Sequence, residues 1–333
     1  MENEQTTDID LIKFTAKIPE NGYSWRNENP SKLRIKPSNC LTEPEPPYLL
    51  PVKSNKYIIR EPLQKQADKS EPLFLYFANL DGSQKGFNMF ANIFGTLLDK
   101  FYITGYDFWQ KEHAEIRAAK LLLFLIKSAE NNSDKEDDIK KKQSAISTLK
   151  QMILWDDNML YFSIPVETFI IDKDFTPEYI IKYANYAWRE TLCNYHSVSH
   201  LAYMIPIHGI IFDWKAETNK LFFETINTGN IIATAKHILS IIINSKINIF
   251  GVNTVLLFNN KNQYYQSFVP KHLISAMWIQ ILQAFTGERK YRQCDICHKW
   301  VDVTESQKNW KVHKSCANTA RSEKFRQKPK EGV

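Results

Sequence analysis

The chain has 333 residues, 43% of them hydrophobic and 13% aromatic, which is enough apolar material for one large core or two ordinary ones and sets aside a disordered or fibrous class. No stretch long enough to span a bilayer is free of polar breaks: "HILSIIINSKINIFGVNTVLLF" is interrupted by serine, asparagine and lysine, so no membrane partner is expected. The formal charge of +6 is unevenly spread, because residues 289 to 330 hold twelve Lys/Arg against four Asp/Glu, a net of +8, which leaves the remainder near neutral at −2.

The N-terminus, "MENEQTTDIDLIKF", is acidic and polar where a secretory signal is basic and then apolar, so a cytoplasmic location is expected. Nine of the fourteen prolines fall in the first 72 residues, and "TEPEPPYLLPVKSNKYIIREP" is too interrupted for a long helix or a central strand. Residues 1–72 therefore read as an extended arm, with edge strands around "KYIIR".

Residues 73–288 read as a helix-rich α+β body. Phe87, Phe90, Ile93, Phe94 and Leu97 form one apolar stripe, and a second helix runs through "YDFWQKEHAEIRAAKLLLFLIKSAE". "NNSDKEDDIKKK" is predicted as a solvated loop leading into a helix at "QSAISTLKQMIL". "TPEYIIKYANYAWRETLCNYHSVSH" opens with an N-cap threonine, a proline at the first helical position and a glutamate in the first turn, which predicts a long helix. Two short β-hairpins follow, "GIIFDWKAETNKLFFETI" and "NTVLLFNNKNQYYQSFV", with a helix from "IIATAKHILSIII" between them. "KHLISAMWIQILQAF" forms a last apolar helix and delivers the chain to Gly287.

Five cysteines in a cytosolic chain of this size argue against a disulfide framework, and three of them, Cys294, Cys297 and Cys316, lie within 23 residues. Cys40 and Cys193 stand alone and read as small buried hydrophobes. The C-terminal spacing is C-x2-C-x15-H-x2-C, with Cys294, Cys297, His313 and Cys316 as the donors of one tetrahedral zinc ion. His298 directly follows Cys297 and would strain the knuckle, so His313 is the preferred fourth ligand. Four protein donors leave no position for water, so the zinc is expected to be structural, and the roughly 40 residues around it are too few to fold without metal.

The residues 292 to 321, with Cys294 and Cys297, Trp300, Asp302 and "CANTAR", resemble the CGNR-type zinc fingers found at the ends of bacterial proteins described as stress-response transcriptional regulators. Cys316, Asn318 and Ala320 match Cys, Asn and Ala of C-G-N-R-A, while His313, Ala317 and Thr319 stand where that family has cysteine, glycine and arginine. A weaker similarity to bacterial proteins with the same kind of finger extends over residues 73 to 325 and implies no activity. The resemblance implies a small treble-clef-like module over residues 289–330, with His313 and Cys316 opening its last helix. Arg321, Lys324 and Lys328 would then form one cationic stripe, with Trp310 in the preceding loop and Lys311 and Lys314 nearby in sequence as further nucleic-acid contacts.

Three functional readings follow. The first is a nucleic-acid-binding regulator or defence protein whose body senses a signal or assembles. The second is a protein-interaction module, with a protein partner or a second copy docked on a zinc-stabilised surface. The third is a metal-dependent hydrolase using His196 and His200 at i and i+4, weakened because Ser197 stands where H-E-x-x-H needs its glutamate base. With no phosphate loop, G-x-S-x-G or dinucleotide-binding glycine pattern, a non-enzymatic role is expected.

Overall fold

The structure, a computed structural model, describes residues 14–27, 47–54, 56–60, 71–98, 104–156, 159–163, 203–205, 209–213, 229–258, 264–294, 296–297, 300–304, 312 and 316–319. The described residues form a mixed α+β protein, with a helical body and small antiparallel sheets. The chain divides into two compact units: residues 1–109 with 246–333, and residues 110–245.

The first unit begins with strands β1 (Ala16–Pro19), β2 (Tyr23–Arg26), β3 (Tyr48–Pro51) and β4 (Tyr57–Arg60). The "KYIIR" strand, β4, pairs antiparallel with β1. The proline-rich stretch departs from expectation, since β3 is central in a sheet of order β2-β3-β5, where β5 is Thr104–Gly105. Proline is tolerated there because Pro51 is the last residue of its strand, and among the described residues β5 pairs with Tyr48 and Leu49.

Helices α1 (Leu73–Ala78) and α2 (Gln84–Phe94) carry an aromatic core. The Phe77 ring lies 4.8 Å from Phe90, 6.0 Å from Phe87 and 6.2 Å from Trp109, offset and tilted geometries that aromatic rings favour. Trp109 is fully buried, and its indole N–H donates to Thr104 Oγ1 at 2.8 Å, so the polar end of the ring is satisfied. The Ser83 hydroxyl caps α2 by accepting from the Gly86 N–H, and Gly95 at φ +98 stops the helix after Phe94. The predicted stripe is shortened accordingly: Phe87 and Phe90 are buried, Ile93 is exposed, and Leu97 is buried beyond the helix end.

Strands β10 (Val252–Phe258) and β11 (Tyr264–Pro270) pair from Val252↔Pro270 to Phe258↔Tyr264, the second of the two expected hairpins. Helix α6 (Leu273–Thr286) follows; ten of its fourteen residues are buried, as expected of a core helix that is apolar on nearly every face. Its first turn is closed by a box in which the His272 backbone N–H donates to Ser275 Oγ at 3.1 Å. It is fastened to α1 by the Phe74 N–H donating to Gln280 Oε1 at 3.2 Å, and to the loop after α2 by the Ile274 N–H donating to Leu97 O at 3.0 Å.

The second unit holds most of α3 (Tyr106–Ala129), all of α4 (Glu136–Met152) and most of α5 (Ile231–Phe250). Their buried stripes are Ile116, Ala119, Leu122, Leu123 and Ile126 on α3, Ala145, Leu149 and Met152 on α4, and Ala235, Ile238, Leu239, Ile242 and Ile243 on α5. Lys236 of α5 forms an ion pair with Glu130 just past α3. Helix α4 starts at Glu136, inside the segment expected to be a loop. Glu136, Asp137 and Asp138 supply negative charge to its first turn, and Lys140 pairs with Glu136 at i, i+4 and 2.7 Å, so local electrostatics begin a helix where apolar periodicity is missing.

The same unit contains a sheet of order β6-β7-β9-β8, from β6 (Ile153–Asp156), β7 (Met159–Ser163), β8 (Tyr203–Ile205) and β9 (Gly209–Asp213). β9 belongs to the first expected hairpin, but its described partners are β7 and β8, and the hairpin's second arm lies outside the described residues. The helix expected from Thr176, with His196 and His200, also lies outside them, as do Cys40 and Cys193. Among the described residues, no helix is long and apolar enough to cross a membrane.

Burial, with a smaller contribution from the neighbouring Tyr57, raises the Tyr23 phenol from 10.0 to about 12, against an opposing hydrogen bond from Thr96. The fold favours the protonated phenol, so this contribution to stability is complete below pH 10.0 and disappears as pH rises through about 12. The stability advantage of the native chain over Tyr23→Phe is therefore expected to shrink across that window, measured by urea unfolding at fixed pH steps. A constant advantage would contradict the assignment.

Candidate metal centre

Gly287, in the left-handed conformation at φ +86, ends α6 and turns the chain out of the core. The Arg289 N–H donates back to Gln283 O at 3.0 Å, and the chain then enters β12 (Tyr291–Gln293). β12 pairs antiparallel with β13 (Trp300–Asp302), from Tyr291↔Asp302 to Gln293↔Trp300. Cys294 and Cys297 both lie in the connection between these two strands. Cys294 follows Gln293 directly and is fully buried, whereas Cys297 sits in the turn and is exposed.

Cys316 arrives from a separate segment, within the helical residues 316–319, and is half-buried. The Sγ atoms of Cys294, Cys297 and Cys316 all lie within 4.8 Å of one another, and none of the three is in a disulfide. Two thiolates on one tetrahedral ion with metal–sulfur bonds of about 2.3 Å stand about 3.8 Å apart, so the observed separation suits shared coordination. Three soft sulfur donors can hold a metal ion of soft or borderline character. Partial burial raises the Cys316 thiol to about 11, with the adjacent Cys297 and Cys294 adding to the effect, so an incoming cation must displace its proton.

The hairpin that presents the first two cysteines is braced at its open end. The Arg289 guanidinium donates to Asp302 Oδ2 at 3.2 Å, a partly buried pair. The other carboxylate oxygen, Asp302 Oδ1, accepts from the Thr304 N–H at 2.9 Å and from the Thr304 hydroxyl at 2.5 Å. The Lys290 N–H donates to Thr304 Oγ1 at 2.8 Å, and the Val303 N–H to Lys290 O at 2.7 Å. The Tyr291 ring meets Phe74 of α1 edge to face at 5.6 Å, which ties the hairpin to the core of the first unit. Burial and the Asp302 charge both push the Tyr291 phenol well above its usual range, with Arg289 opposing, so this contact stays uncharged.

This brace was not anticipated. Asp302 and Trp300 were singled out only as positions shared with the finger family, although "DVT" carries its own signal, an aspartate whose carboxylate captures the backbone N–H two residues on. Of the expected zinc ligands the structure brings together Cys294, Cys297 and Cys316. His313 lies outside the described residues, as do His298, Trp310, Lys311, Lys314, Arg321, Lys324 and Lys328.

No protein-family model, curated protein or solved structure matches the chain. The chemistry of the centre is therefore read from its own residues.

Cys297→Ala removes the exposed donor and touches no part of the hydrophobic core. The variant is expected to lose bound metal while retaining the helical circular dichroism of the native chain, because α3, α5 and α6 are buried against apolar neighbours elsewhere. Full metal retention would remove Cys297 from the centre, and wholesale loss of helix would show that the metal holds the entire fold.

Proposed function

We propose that the chain is a cytoplasmic nucleic-acid-binding protein of regulatory or defence type, whose C-terminal residues 289–330 form a zinc-stabilised binding module. The observation that carries this reading is a local charge of +8 in the same segment whose three cysteines converge. Zinc is the metal because Cys294, Cys297, Cys316 and His313 make a Cys3His set, a common closed tetrahedral environment for that ion. Bound zinc would bring the segment to about +7, still strongly attractive to phosphate.

In this reading the metal is structural, since four protein donors leave no coordination position for water or substrate. Its role is to join the residues around Cys316 to the hairpin that carries Cys294 and Cys297, and so to fix the orientation of the basic side chains beyond. Arg321, Lys324 and Lys328 recur at i, i+3 and i+7 and would follow a phosphate backbone from one helix face. Lys311 and Lys314 would add charge nearby in sequence, and Trp310, in the loop before the helix, would offer a stacking surface for an unpaired base. The resemblance to CGNR-type fingers supports the same reading, and residues 73–288 would then sense a signal or assemble the protein.

Changing Arg321 and Lys324 together to glutamine removes two positive charges and no metal ligand. Nucleic-acid affinity is expected to fall for all sequences alike, with the slope of log K against log salt shrinking by about 1.8 for duplex DNA or about 1.4 for a single strand. Titrations from about 50 to 200 mM salt measure this directly. An unchanged slope in a folded, zinc-loaded variant would exclude this stripe and favour a protein-docking surface.

A further inference from the structure

The three cysteines are unequally placed, and the inequality gives the centre an order of reaction. Cys297 is exposed in the turn of the hairpin, with Ile296 exposed beside it, so a small solute reaches its sulfur from water. Cys294 is fully buried, and Cys316 is half-buried on a different segment. Any oxidised form of Cys297 nevertheless has sulfur neighbours within 4.8 Å, close enough for a disulfide to form with little backbone movement.

We infer that the centre is a peroxide-responsive redox switch, in which Cys297 is oxidised first and Cys294 resolves it, with expulsion of the metal. This inference rests on the zinc reading above. In the first step the Cys297 sulfur attacks one peroxide oxygen, an S–O bond forms, the O–O bond breaks and hydroxide leaves. In the second, the Cys294 sulfur attacks the sulfenic acid, an S–S bond forms, the S–O bond breaks and a second hydroxide leaves. The two sulfurs lose two electrons and the peroxide gains two, so one peroxide is consumed per disulfide, and zinc itself changes no oxidation state.

Cys294 is assigned as the resolving thiol by connectivity. Only two residues separate it from Cys297, and the hairpin keeps the pair together with or without metal, since β12 and β13 are held by their own ladder and by the Asp302 brace. Cys316 lies nineteen residues along the chain from Cys297, so it has no comparable short loop to hold it beside the pair once the ion leaves. The neutral disulfide removes two of the four donors, residues 316–319 lose their link to the hairpin, and the basic segment beyond loses its fixed orientation.

The test uses the full chain, loaded with zinc and treated with one equivalent of hydrogen peroxide. Released zinc is followed with a chromogenic chelator, and tryptic peptides are weighed without reduction. Cleavage after Arg292 and Lys299 places both hairpin cysteines in one peptide, while Cys316 falls in another after cleavage at Lys314. The expected result is release of about one zinc per peroxide, a 293–299 peptide about 2 mass units lighter, and recovery of both on adding dithiothreitol and zinc. A Cys297→His variant, which keeps a zinc donor and loses the thiol, should release metal at least about tenfold more slowly. Full zinc retention by the native chain, or a cross-link between the 293–299 and Cys316 peptides, would overturn the inference while leaving the zinc reading intact. A chain that takes up no zinc before peroxide is added would overturn both.

Discussion

Three sulfur atoms within 4.8 Å of one another form the constraint on which the C-terminal structure turns. If all three were thiolates with nothing between them, each pair would repel. A cation removes the conflict by turning mutual repulsion into shared coordination.

The rest of the first unit supplies a rigid support for this arrangement. Helix α6 is buried on nearly every side, capped at its start by His272 and Ser275 and stopped at Gly287, so the chain leaves it at a defined point and direction. The Arg289 to Gln283 hydrogen bond, the Asp302 brace and the Tyr291 contact with Phe74 then carry that rigidity to within three residues of Cys294. A metal site gains precision when its donors stand on elements that are already fixed, and here two of the three converging donors do.

Legibility in the sequence followed the range of the forces involved. The C-x2-C spacing could be read directly, because two thiolates on one ion must come from a tight turn, and the helices α3, α5 and α6 were visible from apolar periodicity alone. Helix α4 was placed too late because charges in its first turn, Glu136, Asp137 and Asp138, start it and hydrophobic residues do not. The central position of β3 was obscured by its prolines, which matter only where a neighbouring strand needs a donor, and Pro51 falls at the end of its strand. In the sheet β6-β7-β9-β8 the β7–β9 pairing joins strands far apart in the chain and leaves no local trace, whereas β6 with β7 and β8 with β9 are neighbours in sequence whose short apolar runs, β9 apart, went unread. Within the site, the Asp302 brace was missed because it connects side chains from both ends of the hairpin, and only the short "DVT" turn among its parts has a sequence signature.

Closure of one zinc site by Cys294, Cys297, Cys316 and His313, as proposed, is read out by X-ray absorption at the zinc edge of the purified chain. Three sulfur scatterers at about 2.3 Å and one nitrogen at about 2.0 to 2.1 Å are expected, with no bound water. A shell of nitrogen and oxygen alone, or an edge signal that survives replacement of all three cysteines, would contradict it.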